Sequence, residues 1–173
     1  MSVQSLLILG NPVLRQKSRK VESFGGEGLR HLADDLRDTL QDFRARHGFG
    51  RGIAAPQIGV SQRVVFINVD RPMPLVNPKI VRRSRKLMSL WDDCFSLPNL
   101  LAKVRRNLAI EVQYRDLDGK RHHLHAEGAL SELLQHEIDH LDGVLTIDRA
   151  IDSKHVVFKD EWEKWEKGEK VRL

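Results

Sequence analysis

The chain has 173 residues, of which 40% are hydrophobic and 31% are charged, and its net charge is +5. This composition is that of an ordinary globular protein, and the length suits a single domain over residues 1–173. No apolar run is long enough to cross a bilayer, and residues 1–4 lack the basic start of a signal peptide. We therefore expect no membrane partner and a cytoplasmic location.

Basic residues form two clusters, at 82–86 and at 103–106. Such clusters are typical of solvated faces, and the alternative is weak attraction to RNA or to a ribosome surface. Aromatic residues make up only 6% of the chain and no nucleic-acid motif accompanies the clusters, so stacking on bases is poorly supported. We expect no DNA partner and at most a transient contact with the ribosome.

The first half of the chain contains one clear helical pattern and one clear strand. Leucines recur at helical spacing from Leu29 to Phe43, which predicts an amphipathic helix that ends at Gly48. The glycine-rich stretch 48–57 lacks the Lys-Ser/Thr pair of a phosphate-binding loop. The β-branched run 64–69 predicts a buried strand. Three prolines that follow indicate loops or sheet edges: Pro72, Pro74 and Pro78.

A β-hairpin is predicted next, with strands at 108–115 and 120–125 around the turn Asp118-Gly119. Its second strand contains three histidines, and alternation along a strand points neighbouring side chains to opposite faces. We therefore expect these histidines to be solvated rather than metal ligands. They are His122, His123 and His125.

Two helices are predicted after the hairpin. Leucines at helical spacing over 130–141 are followed by Gly143, where a terminating glycine is expected. The stretch 160–170 mixes acidic and basic residues around Trp162 and Trp165, which we expect to pack this last helix onto the body. The order of elements indicates an α+β fold with mostly antiparallel sheet.

The helix over 130–141 carries the motif HExxH, in which His136 and His140 are four residues apart. That spacing places both imidazoles on one face, where they can bind one metal ion. Glu137 is a neighbouring carboxylate that can reach a water on the metal without being a ligand. The pattern therefore predicts a catalytic metal site, with a solvated helix as the alternative.

The third ligand separates the classes of HExxH enzyme. The extended motif HExxHxxGxxH requires a histidine where this chain has Thr146, which disfavours that class of metalloprotease. A glutamate from a later helix is the second option, and Glu161 and Glu163 lie at a suitable separation, although in a stretch of mixed charge. We favour Cys94, the only cysteine, because its short polar segment before a proline suits an exposed site loop.

Three segments resemble the signatures of the peptide deformylase family. They are the stretches Gly50-Arg51-Gly52-Ile53-Ala54-Ala55-Pro56-Gln57, Asp92-Asp93-Cys94-Phe95-Ser96 and Gln135-His136-Glu137-Ile138-Asp139-His140. Their order and spacing agree with the family, and the likeness extends from Asn11 to about Asp148. The resemblance implies a fold of mostly antiparallel sheets packed around a central HExxH helix.

The resemblance also implies removal of the formyl group from the N-terminal methionine of nascent peptides. It implies one divalent ion, Fe(II) in the cell with zinc or nickel as substitutes, held by Cys94, His136 and His140. Glu137 would be the general base and acid, and the Gln57 amide with the Phe95 backbone N–H would be the oxyanion donors. Gly52 and Ile53 would line the substrate groove.

The middle segment departs from the family pattern Glu-Gly-Cys-Leu-Ser. Asp92 keeps a carboxylate and is expected to pair with Arg106, whereas Asp93 replaces a glycine, gives up access to positive φ and brings a negative charge to the groove. Leu101 stands where many members carry an arginine that contacts substrate. Our hypothesis is that Asp93 and Leu101 alter substrate preference or lower activity on formyl-methionyl peptides.

Two other functions fit the same residues. One is an amidohydrolase that acts on a different acyl amide, and the other is a catalytically weak metal-binding homologue that docks on RNA. Gln57 and Glu137 argue against the second, because neither is needed to hold a metal or to fold, and polar side chains are costly to bury without a role.

Overall fold

The computed structural model describes residues 2–166, and its first long element is a helix, α1 (Glu27–His47). The leucines that predicted it, from Leu29 to Leu40, are buried. The helix ends as predicted at Gly48, which has a left-handed φ of 77° and donates its N–H to Arg44. A glycine tolerates this conformation without the steric penalty that a side chain would add.

The larger sheet has five strands, and every pairing in it is antiparallel. The predicted strand at 64–69 and the predicted hairpin are both confirmed within it. The strands are β1 (Gly52–Ala54), β2 (Val64–Asn68), β3 (Pro72–Arg83), β6 (Ala109–Arg115) and β7 (Arg121–Glu127). Their order in the sheet is β1-β2-β3-β6-β7.

The smaller sheet consists of β4 (Leu87–Asp93), β5 (Leu100–Asn107) and β8 (Val156–Phe158), in the order β4-β5-β8. Its pairings are antiparallel as well, so the predicted α+β class with mostly antiparallel sheet is confirmed. The basic cluster at 103–106 is predicted to lie on a solvated face. That is wrong for Arg106, which is buried in β5 although its neighbour Arg105 is exposed.

The three prolines lie in β3 rather than in loops, and the other predicted option, a sheet edge, holds for the two that precede the pairing with β6. Pro72 and Pro74 lie in the part of β3 that pairs with β2, before the first pairing with β6 at Val76. Pro78 falls in the register shift between Val76 and Lys79. An edge or a bulge is where a strand accommodates proline, because no ladder hydrogen bond is lost there.

The larger sheet is covered on both faces, which explains why β2 is a continuous β-branched run. Leucines of α1 pack on one face against Ile53, Val64 and Phe66. The opposite face, with Val65 and Ile67, packs against the apolar side of α2 (Ala129–Leu141). Alternation along β1 and β2 therefore directs neighbouring residues to two different cores.

The histidines of β7 stand on the outer part of the larger sheet. His123 and His125 are exposed, as predicted, whereas His122 is half-buried and pairs with Asp116 at 2.7 Å. His123 hydrogen-bonds Gln113 at 2.7 Å. In residues 2–166, the groups of side chains close enough together to hold a metal ion contain none of these three.

The last described helix is α3 (Lys159–Glu166), and the rest of the predicted helix, 167–170, lies outside the described residues. Trp162 packs on Trp91 of β4 with ring centroids 6.3 Å apart, as predicted. Trp165 is 49% exposed, so the prediction that it packs onto the body is wrong. Within residues 2–166, no helix has the length and apolar content to span a bilayer.

Gly143 terminates α2 in a tight space. Its φ is 73°, and a Cβ there would lie 2.5 Å from the backbone oxygen of Arg15. We expect Gly143→Ala to lower the free energy of unfolding by roughly 3 kcal/mol, because left-handed strain and a backbone clash add.

The matched control is Gly48→Ala, where φ is 77° but no atom lies within 4 Å of the added Cβ. Strain alone should cost this variant about 1 kcal/mol. Chemical denaturation of both variants measures the difference. Equal losses of stability would show that the contact with Arg15 is not tight.

Candidate metal centre

Two imidazoles converge because α2 places them one turn apart on the same face. His136 and His140 are buried, and their Nε2 atoms lie 3.2 Å apart. The leucines and Ile138 on the other side of α2 pack into the core of the larger sheet, which fixes the rotation of the helix about its axis. The histidine face is thereby directed toward the end of β4.

Cys94 follows the last residue of β4 and completes the convergence. Its Sγ lies 3.2 Å from His140 Nε2, and the turn after it is closed by a hydrogen bond from the Leu97 N–H to the Cys94 carbonyl. Cys94, His136 and His140 bring one ligand atom each within 4.8 Å of one another, and all three are buried. The preference for Cys94 over the glutamates of α3 agrees with this geometry, since Glu161 and Glu163 are absent from the groups found in residues 2–166.

The separations of these atoms suit a tetrahedral ion. Nitrogen and sulfur ligands at ordinary bond lengths in a tetrahedral site stand ~3.3–3.6 Å apart. The two Nε2 atoms are 3.2 Å apart, and Cys94 Sγ is 3.2 Å from His140 Nε2 and within 4.8 Å of His136. Thr146, at the place of the last histidine in the longer metalloprotease motif, lies with its Oγ1 3.5 Å from His136 Nδ1, on the far side of the ring from this cluster.

Asp92 fixes the ring of His136. Its carboxylate lies 3.0 Å from His136 Nδ1 and accepts a hydrogen bond from Arg106 Nη2, also at 3.0 Å. Burial opposes ionisation of Asp92, but the charges of His136 and Arg106 outweigh it and lower the pKa of the carboxyl to about 2. A carboxylate that accepts the Nδ1 proton leaves Nε2 free as a ligand. The expected pairing of Asp92 with Arg106 is confirmed.

Glu137 lines the same cavity as Cys94 and His136, with its carboxylate against Gly52 of β1. It is 3% exposed, and its Oε2 is buried without a hydrogen-bond partner among the described residues. Burial raises the pKa of this carboxyl to about 7, although the charge of His136 lowers it. A Cβ on Gly52 would stand 2.7 Å from Glu137 Oε1, so the glycine permits this close approach.

The Gln57 amide is oriented by the backbone of β1. Its Oε1 accepts a hydrogen bond from the Ala54 N–H at 2.9 Å, which leaves Nε2 to point at the site. That nitrogen lies 3.7 Å from Cys94 Sγ and donates to Ser96 Oγ at 3.3 Å. Gln57 is 1% exposed, so its donor is held in place rather than mobile in solvent.

An open cavity of about 460 Å³ gives access to these groups. Gly52, Gln57, Cys94, Phe95 and Glu137 line it. The Phe95 ring forms the outer wall and stacks on Phe43 of α1 at 3.9 Å between centroids.

The residues predicted to contact or affect the substrate differ in whether they reach the cavity. Asp93 lines the cavity, as expected from its charge, with Lys159 Nζ 3.9 Å from its carboxylate. Non-glycine residues with positive φ in residues 2–166 are Asn77 and Asn99, so the backbone at Asp93 does not use the freedom that a glycine would give. Ile53 packs on the α1 side of the sheet, is fully buried and is not among the residues that line the cavity. Leu101 is buried in β5 opposite Asp93.

Sequence reasoning missed several charged side chains of the cavity. They are Arg44, Arg51, Glu132 and Lys159. The sequence could have indicated Glu132, because it is four residues before His136 and therefore lies on the histidine face of α2. The other three side chains come from separate elements, and no spacing in the sequence relates them to the histidines.

Comparison with known proteins agrees with this geometry. The family model described as "Polypeptide deformylase" matches residues 3–156. A peptide deformylase of Rhizobium meliloti (strain 1021) is 43% identical over 154 residues, which cover 86% of this chain and 85% of that protein.

Two solved structures have the same fold. A peptide deformylase from Ehrlichia chaffeensis superposes with a TM-score of 0.81 at 31% identity over 99% of each chain. The class I type b peptide deformylase from Acinetobacter baumannii, solved with Met-Ala-Ser bound, gives a TM-score of 0.80 at 28% identity over 86% of this chain and 99% of that one. The chain belongs to the peptide deformylase family, metal-dependent hydrolases that remove the N-formyl group from peptides.

Proposed function

We propose that Cys94, His136 and His140 hold one divalent ion, Fe(II) in the cell, with zinc or nickel as substitutes. A thiolate with two imidazoles is a donor set that suits these borderline ions, and the 3.2 Å separations support it. When bound, such an ion supplies Lewis acidity, which lowers the pKa of water toward 7 and polarises a carbonyl. The single observation that carries the proposal is the convergence of the three buried ligand atoms.

Glu137 then transfers a proton from the water to the leaving amine. Its carboxyl lies beside the ligand cluster, and a pKa raised to about 7 by burial suits a group that takes a proton from water and returns it to the leaving amine. One carboxylate is sufficient for this transfer, since the two proton movements occur in succession. Gln57 Nε2 and the Phe95 backbone N–H donate to the formyl oxygen as it gains charge.

Formylated peptides enter along β1. This strand is at the edge of the larger sheet, pairs with β2 on one side, and has Gly52 at the cavity. An edge strand can pair with an extended peptide, whose backbone then runs past Glu137. The Acinetobacter baumannii protein was solved with Met-Ala-Ser bound, which supports a peptide substrate here. Gly52 and the Ile53 backbone are the expected contacts, and Asp93 adds charge at the rim.

We also propose the wider setting of the enzyme. The predicted domain 1–173, of which the structure describes residues 2–166, is one unit in which both sheets pack around the HExxH helix. The protein works in the cytoplasm, where formylated chains are made. The exposed basic residues 82–86 are candidates for a transient ribosome contact, because Arg82 is 77% exposed.

Another acyl amide is the remaining alternative for the substrate. The charged side chains Asp93, Glu132 and Arg51 around the cavity favour it over a loss of activity. A catalytically weak homologue has no need for the held donor of Gln57 or the buried carboxylate of Glu137.

Glu137→Ala should keep its metal but lose turnover. Because general acid–base catalysis contributes typically 10²–10⁴-fold, kcat on formyl-Met-Ala-Ser should fall at least about a hundredfold. Metal content by elemental analysis and release of the free amine measure the two effects, with acetyl-Met-Ala-Ser as the control substrate. Undiminished turnover would remove Glu137 from the proton transfer.

Cys94→Ala should lose the metal itself. Replacing the thiolate leaves two imidazoles, so the protein purified without oxygen should contain much less than one ion per chain. His123→Ala, on the exposed face of β7, is the matched control and should keep its metal content. Retention of metal by Cys94→Ala would mean that another side chain is the third ligand.

A further inference from the structure

A second cavity, of about 650 Å³, opens where the chain before α1 passes β3 and the end of α2. Among residues 2–166, no side chain lines both this cavity and the one at the metal centre. Five of the residues around it are basic and one is acidic, and we call it the basic pocket. These six residues are Lys17, Lys20, Arg63, Lys79, Arg115 and Asp142.

Asp142, the acidic residue of the basic pocket, is already neutralised. It pairs with Arg63 at 2.6 Å, and the same guanidinium donates to the Leu141 carbonyl at the end of α2, at 3.2 Å. Within residues 2–166, no carboxylate stands within ion-pair distance of the other four basic side chains. Positive charges around a concave surface focus their potential into it. The basic pocket therefore attracts anions.

The walls of the basic pocket are held in place by hydrogen bonds. Arg115 donates to the Gly119 carbonyl at 2.5 Å, and its guanidinium carbon lies 5.3 Å from the centroid of the Phe24 ring. The Asn77 side chain bonds both backbone groups of Val21, at 2.9 and 2.8 Å, and so fixes the chain before α1 against β3. A site whose walls are fixed before binding loses less conformational entropy when a ligand enters.

Ser18 provides an independent indication of a ligand. It lines the basic pocket and is 5% exposed, and its Oγ is buried without a hydrogen-bond partner in residues 2–166. Its backbone N–H donates to the Leu141 carbonyl at 2.9 Å, so the residue is fixed on the wall. A buried hydroxyl without a partner is unfavourable, and rotation about χ1 can turn its O–H toward a ligand. The partner it lacks is an acceptor.

A phosphate group has the chemistry that these side chains require. At neutral pH a phosphate monoester carries close to two negative charges on three acceptor oxygens, whereas a carboxylate has one charge and two oxygens. Lysine and arginine both bind phosphate through charge-assisted hydrogen bonds. The cavity is larger than a phosphate group alone, and three apolar residues on its wall can contact an organic part of the ligand. They are Val21, Phe24 and Pro78.

We propose that the basic pocket binds a small molecule that carries a terminal phosphate group. The phosphate oxygens accept hydrogen bonds from the Ser18 hydroxyl and from the unpaired cations of the pocket, and the organic part lies against the apolar wall. Because the basic pocket is separate from the metal centre, the inference does not depend on the proposed reaction.

Titration calorimetry of the metal-loaded protein, with the ionic strength held constant by KCl, compares AMP with adenosine. These two ligands differ only in the phosphate group, so AMP should bind at least about tenfold more tightly. Inorganic phosphate should displace AMP. Equal affinities, no binding of AMP, or AMP that phosphate does not displace would overturn the inference. Tighter binding of an oligouridylate without a terminal phosphate would also overturn it, because that result indicates an RNA surface.

Two variants test whether the phosphate occupies the basic pocket. Ser18→Ala should weaken AMP binding about tenfold, since a hydrogen bond to a charged group is lost. Its free energy of unfolding should not fall, because the hydroxyl has no partner to lose. Lys17→Gln combined with Lys79→Gln should weaken binding at least about tenfold.

The matched control is Arg83→Gln combined with Arg85→Gln, which removes the same charge from an exposed stretch outside the basic pocket. It should keep the wild-type affinity for AMP, and an equal loss in this control would overturn the inference by showing that net charge alone is responsible. A phosphate can also bind a metal ion. Wild-type affinity in both pocket variants would therefore place AMP at the metal centre and refute the proposal.

Discussion

The structure depends on bringing one sulfur and two imidazole nitrogens to the same buried point. The sulfur comes from the turn after β4, and both nitrogens come from α2, in a different part of the chain. Two packed elements must therefore meet with a tolerance of a few tenths of an ångström, because ligand separations near 3.2 Å leave little slack around a small ion. The fold must therefore hold these two elements in a fixed relative position.

A buried ion-pair network helps to hold the turn after β4 and α2 in position. Arg106 on β5 donates to Asp92 on β4 and, at 2.5 Å, to Asp139 on α2, so it ties the smaller sheet to the HExxH helix. Asp92 in turn fixes the His136 ring. Burying these charges is costly, and a network whose members are paired offsets that cost better than an isolated pair. The same residues that connect the two parts of the fold thus orient the metal ligand.

The side chains that we propose to take part in the reaction, Gln57 and Glu137, are held in place in the same way. Gln57 cannot rotate without breaking its bond to the Ala54 N–H, and Glu137 is confined between α2 and Gly52. Each is polar and buried, which a fold sustains only where a partner or a function compensates. Among residues 2–166 the Oε2 of Glu137 has no hydrogen-bond partner, which agrees with the role proposed for this carboxylate.

Sequence reasoning worked where periodicity and chemistry act locally. The spacing of HExxH fixed the ligand face of α2, and the run 64–69 identified β2. Strands β4 and β5 were not predicted, because charged residues such as Arg106 and Asp92 occupy buried positions in them. The opposite charges of these two residues are paired across the sheet. For Pro74 the sequence left loop and sheet edge open, because the choice depends on which part of β3 is paired. Glu132 was missed because the helix was assigned from its apolar residues, and its partner Arg51 is 81 residues away in the chain.

X-ray absorption at the metal edge of the loaded protein tests the ligand set most directly. We expect one sulfur at ~2.3 Å and nitrogen ligands at ~2.0–2.1 Å, the distances of a thiolate and two imidazoles on a tetrahedral ion. A first coordination shell that contains no sulfur would contradict the assignment of Cys94 and with it the metal centre described above.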